Sequence, residues 1–90
     1  MGRGLDGKLA QMKMSAEKSI ILLLKRKRRK FSTKQLFDSL LWWEASYYYF
    51  QKFLRSLAKK YPQLKCQKAD LLLANKIGCH PNSTVWWWEE

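Results

Sequence analysis

Aromatic, amide and cationic side chains recur at helical spacing between residues 45 and 60. The apolar side chains of this segment share one face of a helix: Phe50, Phe53, Leu54, Leu57 and Tyr61. The opposite face has no carboxylate and consists of Tyr47, Tyr48, Gln51, Lys52, Arg55 and Lys59. Such groups hydrogen-bond base edges, contact phosphates, or pack on sugars and thymine methyls. The pattern indicates a surface for a polyanion, although Tyr49 and one of Tyr47 or Tyr48 could simply pack.

A second group of charges is an unbroken run of six cations: Lys25, Arg26, Lys27, Arg28, Arg29 and Lys30. Cations favour a helix C-terminus, but six in succession repel one another and exceed what the helix dipole requires. The chain has a formal charge of +11, and residues 1–30 alone carry ten basic and two acidic side chains. This balance indicates a polyanionic partner, either nucleic acid or an anionic membrane. The alternative for the run is a solvated, frayed helix end.

Length and composition exclude several classes of protein. Ninety residues make a single domain that is too small for a large multi-part active site. Since 47% of the residues are apolar, composition also argues against a disordered basic tail. One histidine, no glycine-rich phosphate loop and no nucleophile elbow argue against an enzyme. We therefore expect a small folded domain without catalytic activity.

Metal and cofactor sites are not expected. Cys66 and Cys79 lie thirteen residues apart, and the chain has a single histidine, His80. A four-ligand zinc site would need two carboxylates as well, of which Asp70 is the nearest candidate. In a cytosolic protein the thiols are expected to be buried as small hydrophobes, and in a hyperthermophile a structural disulfide is the alternative.

The chain has no pattern typical of a membrane span. Its longest aliphatic run is Ile20–Leu24, and six cations follow it, whereas a spanning helix needs about 18 apolar residues. The same order of apolar and cationic residues argues against a secretory signal. We expect a cytoplasmic protein.

Residues 1–14 contain three glycines and scattered charges, which predicts a mobile arm that is helical at most from Lys8. The folded domain is predicted over residues 15–90. Ser15 offers a helix N-cap, with Glu17 in the first turn, where the helix dipole favours a carboxylate. The buried stripe predicted for this helix consists of Ala16, Ile20, Leu23 and Leu24.

The most specific local signal is the start of the next helix. Ser32 followed by Gln35 forms a capping box, and Phe31 with Leu36 forms a hydrophobic staple. A helix is therefore predicted to begin at Thr33.

The apolar pattern of that helix breaks at residues 42–46, which predicts a turn of a few residues. Either Glu44 or Ser46 could cap the helix that follows. That helix is predicted to end before Pro62, because proline disfavours helical geometry in the residue ahead of it.

The segment after Pro62 allows two interpretations. The favoured one is a terminal β-hairpin, with an alternating strand at residues 64–66, apolar residues 71–74, a turn cluster at residues 80–83 and a strand at Thr84–Trp88. The alternative makes residues 69–77 a short helix ended by Gly78.

The predicted order is helix, basic link, capped helix, tight turn, longer helix with a polar face, and β-hairpin. This order resembles the winged helix-turn-helix family of DNA-binding domains, most strongly over residues 31–40 and 45–62. The family's recognition helix has typical positions that are matched here by similar residues, namely Ser46, Phe50 and the sequence Leu-Arg-Ser-Leu of residues 54–57. The resemblance implies a mostly α fold with a small C-terminal β-hairpin (α+β class), built as a three-helix winged domain.

The resemblance also implies a function: sequence-specific binding of double-stranded DNA by a transcriptional regulator, such as those common in archaea and their viruses. Helix 45–60 would dock in the major groove, and the cationic run would add sequence-independent attraction. The DNA contacts implied are Ser32, Lys34, Ser46, Tyr47, Tyr48, Gln51, Lys52, Arg55 and Lys59, with His80 and Asn82 as polar groups of the wing. The alternatives are a small RNA-binding structural protein of a ribonucleoprotein particle and a membrane-surface module that uses residues 16–30.

Five tryptophans exceed what the core of so small a domain can hold: Trp42, Trp43, Trp86, Trp87 and Trp88. On a strand, Trp86 and Trp88 face one side and Trp87 the other. One side is expected to complete the core. The remaining indoles are expected to cover a homodimer interface that presents two recognition helices to a palindromic site.

Overall fold

The computed structural model describes the backbone of residues 3–90 and the side chains of residues 7–90. Its elements follow the chain in the order α1 (Arg3–Lys27), β1 (Phe31–Ser32), α2 (Thr33–Ser39), α3 (Tyr47–Lys60), β2 (Leu64–Lys68), α4 (Leu71–Ile77) and β3 (Thr84–Trp88). The three strands form one antiparallel sheet in the order β1-β3-β2. The described part of the chain is of mixed α+β class, as predicted. It has four helices where three were predicted, and the hairpin is part of a three-stranded sheet because β1 pairs with β3.

Strand β3 is the centre of the sheet and separates two layers of packing. Because successive side chains of a strand point to opposite faces, Trp86 joins the main core while Val85 packs against Ala74 of α4. The indole Nε1 of Trp86 donates to the hydroxyl of Thr33 at 2.9 Å. Helices α1, α2 and α3 therefore cover one face of the sheet, and α4 covers the other.

The main core is formed by apolar stripes of the helices and by the inner face of the sheet. Each fully buried side chain of the size of leucine contributes roughly 1.5–3 kcal/mol relative to its exposed state. Trp43 adds an aromatic cluster, with its ring centroid 5.2 Å from that of Phe50 and 5.3 Å from that of Phe53. The largest side chains that are fully buried are Phe50, Ile20, Leu24, Leu36, Leu54 and Val85.

The predicted capping signals are present at α2 and α3. The hydroxyl of Ser32 accepts from the backbone N–H of Gln35 at 3.1 Å, and the backbone N–H of Ser32 donates to Gln35 Oε1 at 3.1 Å. This is the predicted capping box. At α3 the cap is Ser46, not Glu44, since the Ser46 hydroxyl accepts from the N–H of Tyr49 at 3.1 Å.

Helix α1 begins at Arg3, so its predicted start at Ser15 is wrong. Met12 packs against the main core and Leu9 is half-buried, which extends the buried stripe of α1 toward its N-terminus. A glycine in a helix costs about 1 kcal/mol, and this packing offsets that cost. Residues 1 and 2 of the predicted arm lie outside the described residues, and the mobility of residues 1–14 stays a prediction.

The favoured hairpin interpretation is wrong for residues 69–77, where the structure contains α4. Asp70 caps this helix by accepting from the N–H of Leu73 at 2.8 Å. Gly78 ends it with a φ of 78°, a conformation in which glycine is the least strained residue. A hairpin is nevertheless present, because β2 pairs with β3 along its whole length.

Candidate nucleic-acid interface

The exposed side of α3 is the one that the sequence predicts. Its apolar residues Phe50, Phe53, Leu54 and Leu57 are buried in the core. The opposite side, called the α3 face below, has a half-buried Gln51 and is otherwise exposed. It consists of Tyr47, Tyr48, Gln51, Lys52, Arg55 and Lys59.

The tyrosines at the start of α3 have different surroundings. Tyr48 is 65% exposed, and Lys52 Nζ, one turn later, lies 4.7 Å from its ring centroid. Tyr47 is 38% exposed and packs edge-on against Phe37 of α2, with centroids 5.1 Å apart. Tyr49 packs against the core beside Trp43. Tyr48 is thus the more accessible aromatic group of the α3 face.

A groove of about 540 Å³ lies between α2, the start of α3 and the loop at residues 78–84, and is called the α2–α3 groove below. Lys34 and Asp38 line it from α2, and Tyr47 and Gln51 line it from α3. The loop contributes Gly78, Cys79, His80, Asn82, Ser83 and Thr84. The groove therefore joins the α3 face to the polar loop groups His80 and Asn82.

Two hydrogen bonds hold the loop against α2. Gln35 Nε2 donates to the carbonyl of Ile77 at 2.7 Å, while the Oε1 of the same side chain belongs to the capping box. The hydroxyl of Thr33 donates to the carbonyl of Thr84 at 3.2 Å. The capping signal was visible in the sequence, but the second role of Gln35 depends on where α4 ends.

The residues expected to contact a nucleic-acid backbone from the helix starts differ in accessibility. Ser32 is 3% exposed, and its hydroxyl is occupied by the cap of α2. Lys34 and Ser46 are exposed, although the Ser46 hydroxyl also serves as a cap. Lys34 is the side chain of this set that offers a free charged group to the α2–α3 groove.

Four of the six consecutive cations surround a second cavity, of about 300 Å³, called the Trp87–Trp88 pocket below. Lys25 Nζ lies 5.0 Å from a ring centroid of Trp88, and Lys30 Nζ lies 4.5 Å from one of Trp87. Its lining is formed by Leu24, Lys25, Arg28, Arg29, Lys30, Trp87, Trp88 and Glu90. Arg26 and Lys27 are exposed and do not line the pocket. The pairing of these cations with tryptophans of β3 was not expected from the sequence.

The two cavities lie toward opposite ends of β3. Thr84 lines the α2–α3 groove, and Trp87 and Trp88 line the pocket. At about 3.3 Å per strand residue, these positions are roughly 10–13 Å apart. The sequence-predicted site residues therefore fall into two groups, one around α2 and α3 and one at the end of α1.

An ion pair fixes the end of α3 to α1. Lys60 Nζ lies 3.2 Å from both carboxylate oxygens of Glu17, and the Tyr61 hydroxyl donates to Glu17 Oε2 at 2.6 Å. The hydrogen bond from Tyr61 and the nearby Lys60 charge lower the pKa of Glu17, and partial burial opposes this effect. The same contacts raise the pKa of Lys60 and of Tyr61. This contact has a structural role, because Glu17, Lys60 and Tyr61 are already bonded to one another.

Among residues 7–90, no three His, Cys, Asp or Glu side chains cluster as metal ligands would. Within the described chain, no helix has both the length and the apolar character needed to cross a membrane. Cys66 and Cys79 are free thiols, of which Cys66 is exposed and Cys79 is half-buried.

No protein-family model, curated protein or solved structure matches this chain.

Proposed function

We propose that this chain is a sequence-specific double-stranded DNA-binding protein of the winged helix-turn-helix type that regulates transcription. The observation that carries the proposal is the α3 face, where exposed cations and tyrosines lie beside the half-buried amide of Gln51, with no carboxylate on this face of the helix. These are the groups with which proteins contact phosphates and base edges. The proposed location is the cytoplasm, in association with DNA.

The arrangement of the elements supports this proposal. A helix and a short strand precede the helices α2 and α3, and two antiparallel strands follow them, with β3 between β1 and β2. This order resembles that of winged helix-turn-helix domains. The chain differs in having α4 where such a domain has its wing tip. Because α4 packs on the sheet, the polar loop at residues 78–84 takes the place beside α3 that a wing would occupy.

The dimensions of α3 suit the proposed docking. At 1.5 Å per residue, its 14 residues span about 21 Å, and the major groove of B-DNA, about 12 Å wide, admits one α-helix. Gln51 and Arg55 have the side chains that pair in bidentate fashion with adenine and guanine. Lys52, Lys59 and Lys34 would contact flanking phosphates.

We also propose that the chain forms a homodimer. Leu41 is 92% exposed and Trp42 is exposed beside it, in the turn between α2 and α3. A groove of about 580 Å³ separates Trp42 from Leu9 and Met12 of α1. Exposed large apolar groups of this kind are typical of interfaces. A second copy seated here would bring two α3 helices to one DNA site.

The proposal is tested by fluorescence anisotropy of the purified protein with a labelled mixed-sequence duplex and with single-stranded RNA, each from about 50 to 300 mM salt. Groove docking predicts tighter binding to the duplex and a log–log salt slope of roughly −4 or steeper. A preference for RNA would reject the proposal in favour of a ribonucleoprotein component. Equal affinity for both, with similarly steep salt slopes, would show that the attraction is only non-specific.

A further inference from the structure

The Trp87–Trp88 pocket concentrates positive charge, and among residues 7–90 none of its cations forms an ion pair. Lys25, Arg28, Arg29 and Lys30 line it, and among the described residues Glu90 is the one acidic side chain that does. The single ion pair found in residues 7–90 joins Lys60 and Glu17, which lie elsewhere. Four cations around one small cavity favour an anion inside it, because the attraction of each cation to the bound negative charge offsets the repulsion between the cations.

The tryptophans of this pocket hold cations in place and are already covered by them. Lys30 Nζ lies 4.5 Å from the ring of Trp87, and Lys25 Nζ lies 5.0 Å from the ring of Trp88. Both indoles are half-buried. Ammonium groups that are fixed on aromatic faces still offer their N–H donors to an anion. Since the ring faces carry lysines, the pocket suits a phosphate better than a stacked base.

The backbone conformation of Arg28 is a second observation that favours a ligand site at this pocket. Its φ is 51°, in the left-handed region that glycine adopts most easily, and its N–H closes α1 by donating to the carbonyl of Leu24 at 3.1 Å. An arginine here is strained where a glycine would not be. Non-glycine residues in this conformation cluster at ligand sites, although a left-handed residue also ends many helices, and Arg28 lines the cavity.

We infer that the Trp87–Trp88 pocket is a phosphate-binding site for the nucleic-acid backbone, separate from the α3 face. The choice of DNA as the source of the phosphate rests on the proposed function. The pocket lies about 10–13 Å along β3 from the α2–α3 groove, which corresponds to roughly three to four base pairs at 3.4 Å each. We propose that one backbone strand contacts both places. The half-buried indoles favour a phosphodiester over a lipid surface, into which exposed tryptophans would insert.

The test compares two variants that remove the same number of charges from the same cationic run. The pocket variant is Lys25→Gln with Arg28→Gly, and the control is Arg26→Gln with Lys27→Gln, whose side chains do not line the pocket. Affinity for a 20-base-pair duplex is measured by anisotropy at several salt concentrations, and the thermal midpoint of each variant is measured alongside. Arg28→Gly alone serves as a further variant, because glycine fits the backbone at this position.

We expect the pocket variant to bind the duplex at least tenfold more weakly and to reduce the magnitude of the log–log salt slope by about 2, or about 1 for Arg28→Gly alone. The control should weaken binding by less than threefold. Equal effects of the two double variants, or wild-type binding by Arg28→Gly, would overturn the inference. The inference is also overturned if the pocket variant loses binding to phosphatidylserine vesicles while it keeps its affinity for the duplex.

The variant Lys52→Ala with Arg55→Ala, measured in the same series, separates this inference from the proposed function. Loss of binding by this variant, with none in the pocket variant, rejects the pocket and keeps the proposed function. Loss in the pocket variant alone rejects docking by α3 and keeps the phosphate site.

Discussion

At the scale of single residues, Lys52 and Arg55 hold the central cations of the α3 face. Both are exposed, and neither forms an ion pair with an acidic side chain of residues 7–90. We expect Lys52→Ala with Arg55→Ala to weaken duplex binding more than tenfold, because two charged contacts to DNA are lost together. The thermal midpoint should be unchanged, since neither side chain is part of the core.

A matched control for this prediction is available on α1 and α4. Lys18 and Lys76 are exposed cations outside the α3 face, so Lys18→Ala with Lys76→Ala removes the same net charge. We expect this variant to weaken binding by less than threefold. If both double variants weaken binding equally, or if the α3 variant also lowers the thermal midpoint, then Lys52 and Arg55 do not contact DNA in the proposed way.

Glu17 gives stability a dependence on pH. Its hydrogen bond from Tyr61 and the charge of Lys60 hold its pKa below the ordinary value of 4.5. A lowered pKa means that ionised Glu17 stabilises the fold above pH 4.5, and that this contribution is lost as the pH falls through the lower folded value. We expect Glu17→Gln to reduce the thermal midpoint by a few degrees at about pH 7 and by progressively less as the pH falls below 4.5. An equal loss at every pH would show that Glu17 acts through packing and not through charge.

At the scale of elements, the N-terminal caps of α2 and α3 follow local rules. Ser32, Gln35 and Ser46 act as their types and spacing indicate, because a cap depends on residues within one turn. Helix α4 is harder to predict from the sequence, because its caps Asp70 and Gly78 enclose a segment of only seven residues. Its packing of Ala74 on Val85 is a contact across the sheet that no local pattern contains.

Gly78 and Gly7 give a matched pair of substitutions. A Cβ added at either position meets no atom within 4 Å, but Gly78 has a φ of 78° and Gly7 lies inside α1. We expect Gly78→Ala to destabilise the fold by about 1–2 kcal/mol through backbone strain alone. Gly7→Ala should be neutral or stabilise by up to about 1 kcal/mol. Urea unfolding measures both, and shifts of the same sign would contradict this account of α4.

At the scale of the whole molecule, the exposed apolar turn at Leu41 and Trp42 predicts self-association. We expect sedimentation of the wild-type chain at tens of micromolar to show a dimer, and Trp42→Ser to be monomeric, because the exposed indole is the largest apolar group of that surface. Leu72→Ser is the control, since Leu72 is also exposed but lies on α4. A monomeric wild-type chain, or loss of the dimer in both variants, would contradict the proposed interface.

The distribution of the β3 tryptophans between the core and the pocket also depends on the whole molecule. Alternation along β3 correctly separates Trp86 from Trp87. It does not show that Lys30 lies over Trp87, which is 57 positions later in the chain. That contact exists because β1 pairs with β3, and a strand of two residues leaves no periodic signal.

The sequence by itself determined the α3 face, the capping box of α2 and the excess of positive charge, because these depend on residue type and on spacing within a few helical turns. Only the tertiary structure decided how far α1 extends, which face of the sheet α4 covers, and that Lys25, Arg28 and Lys30 share a pocket with Trp87 and Trp88. Those outcomes depend on contacts between residues far apart in the chain, and the free energy of burying their surfaces outweighs local preference.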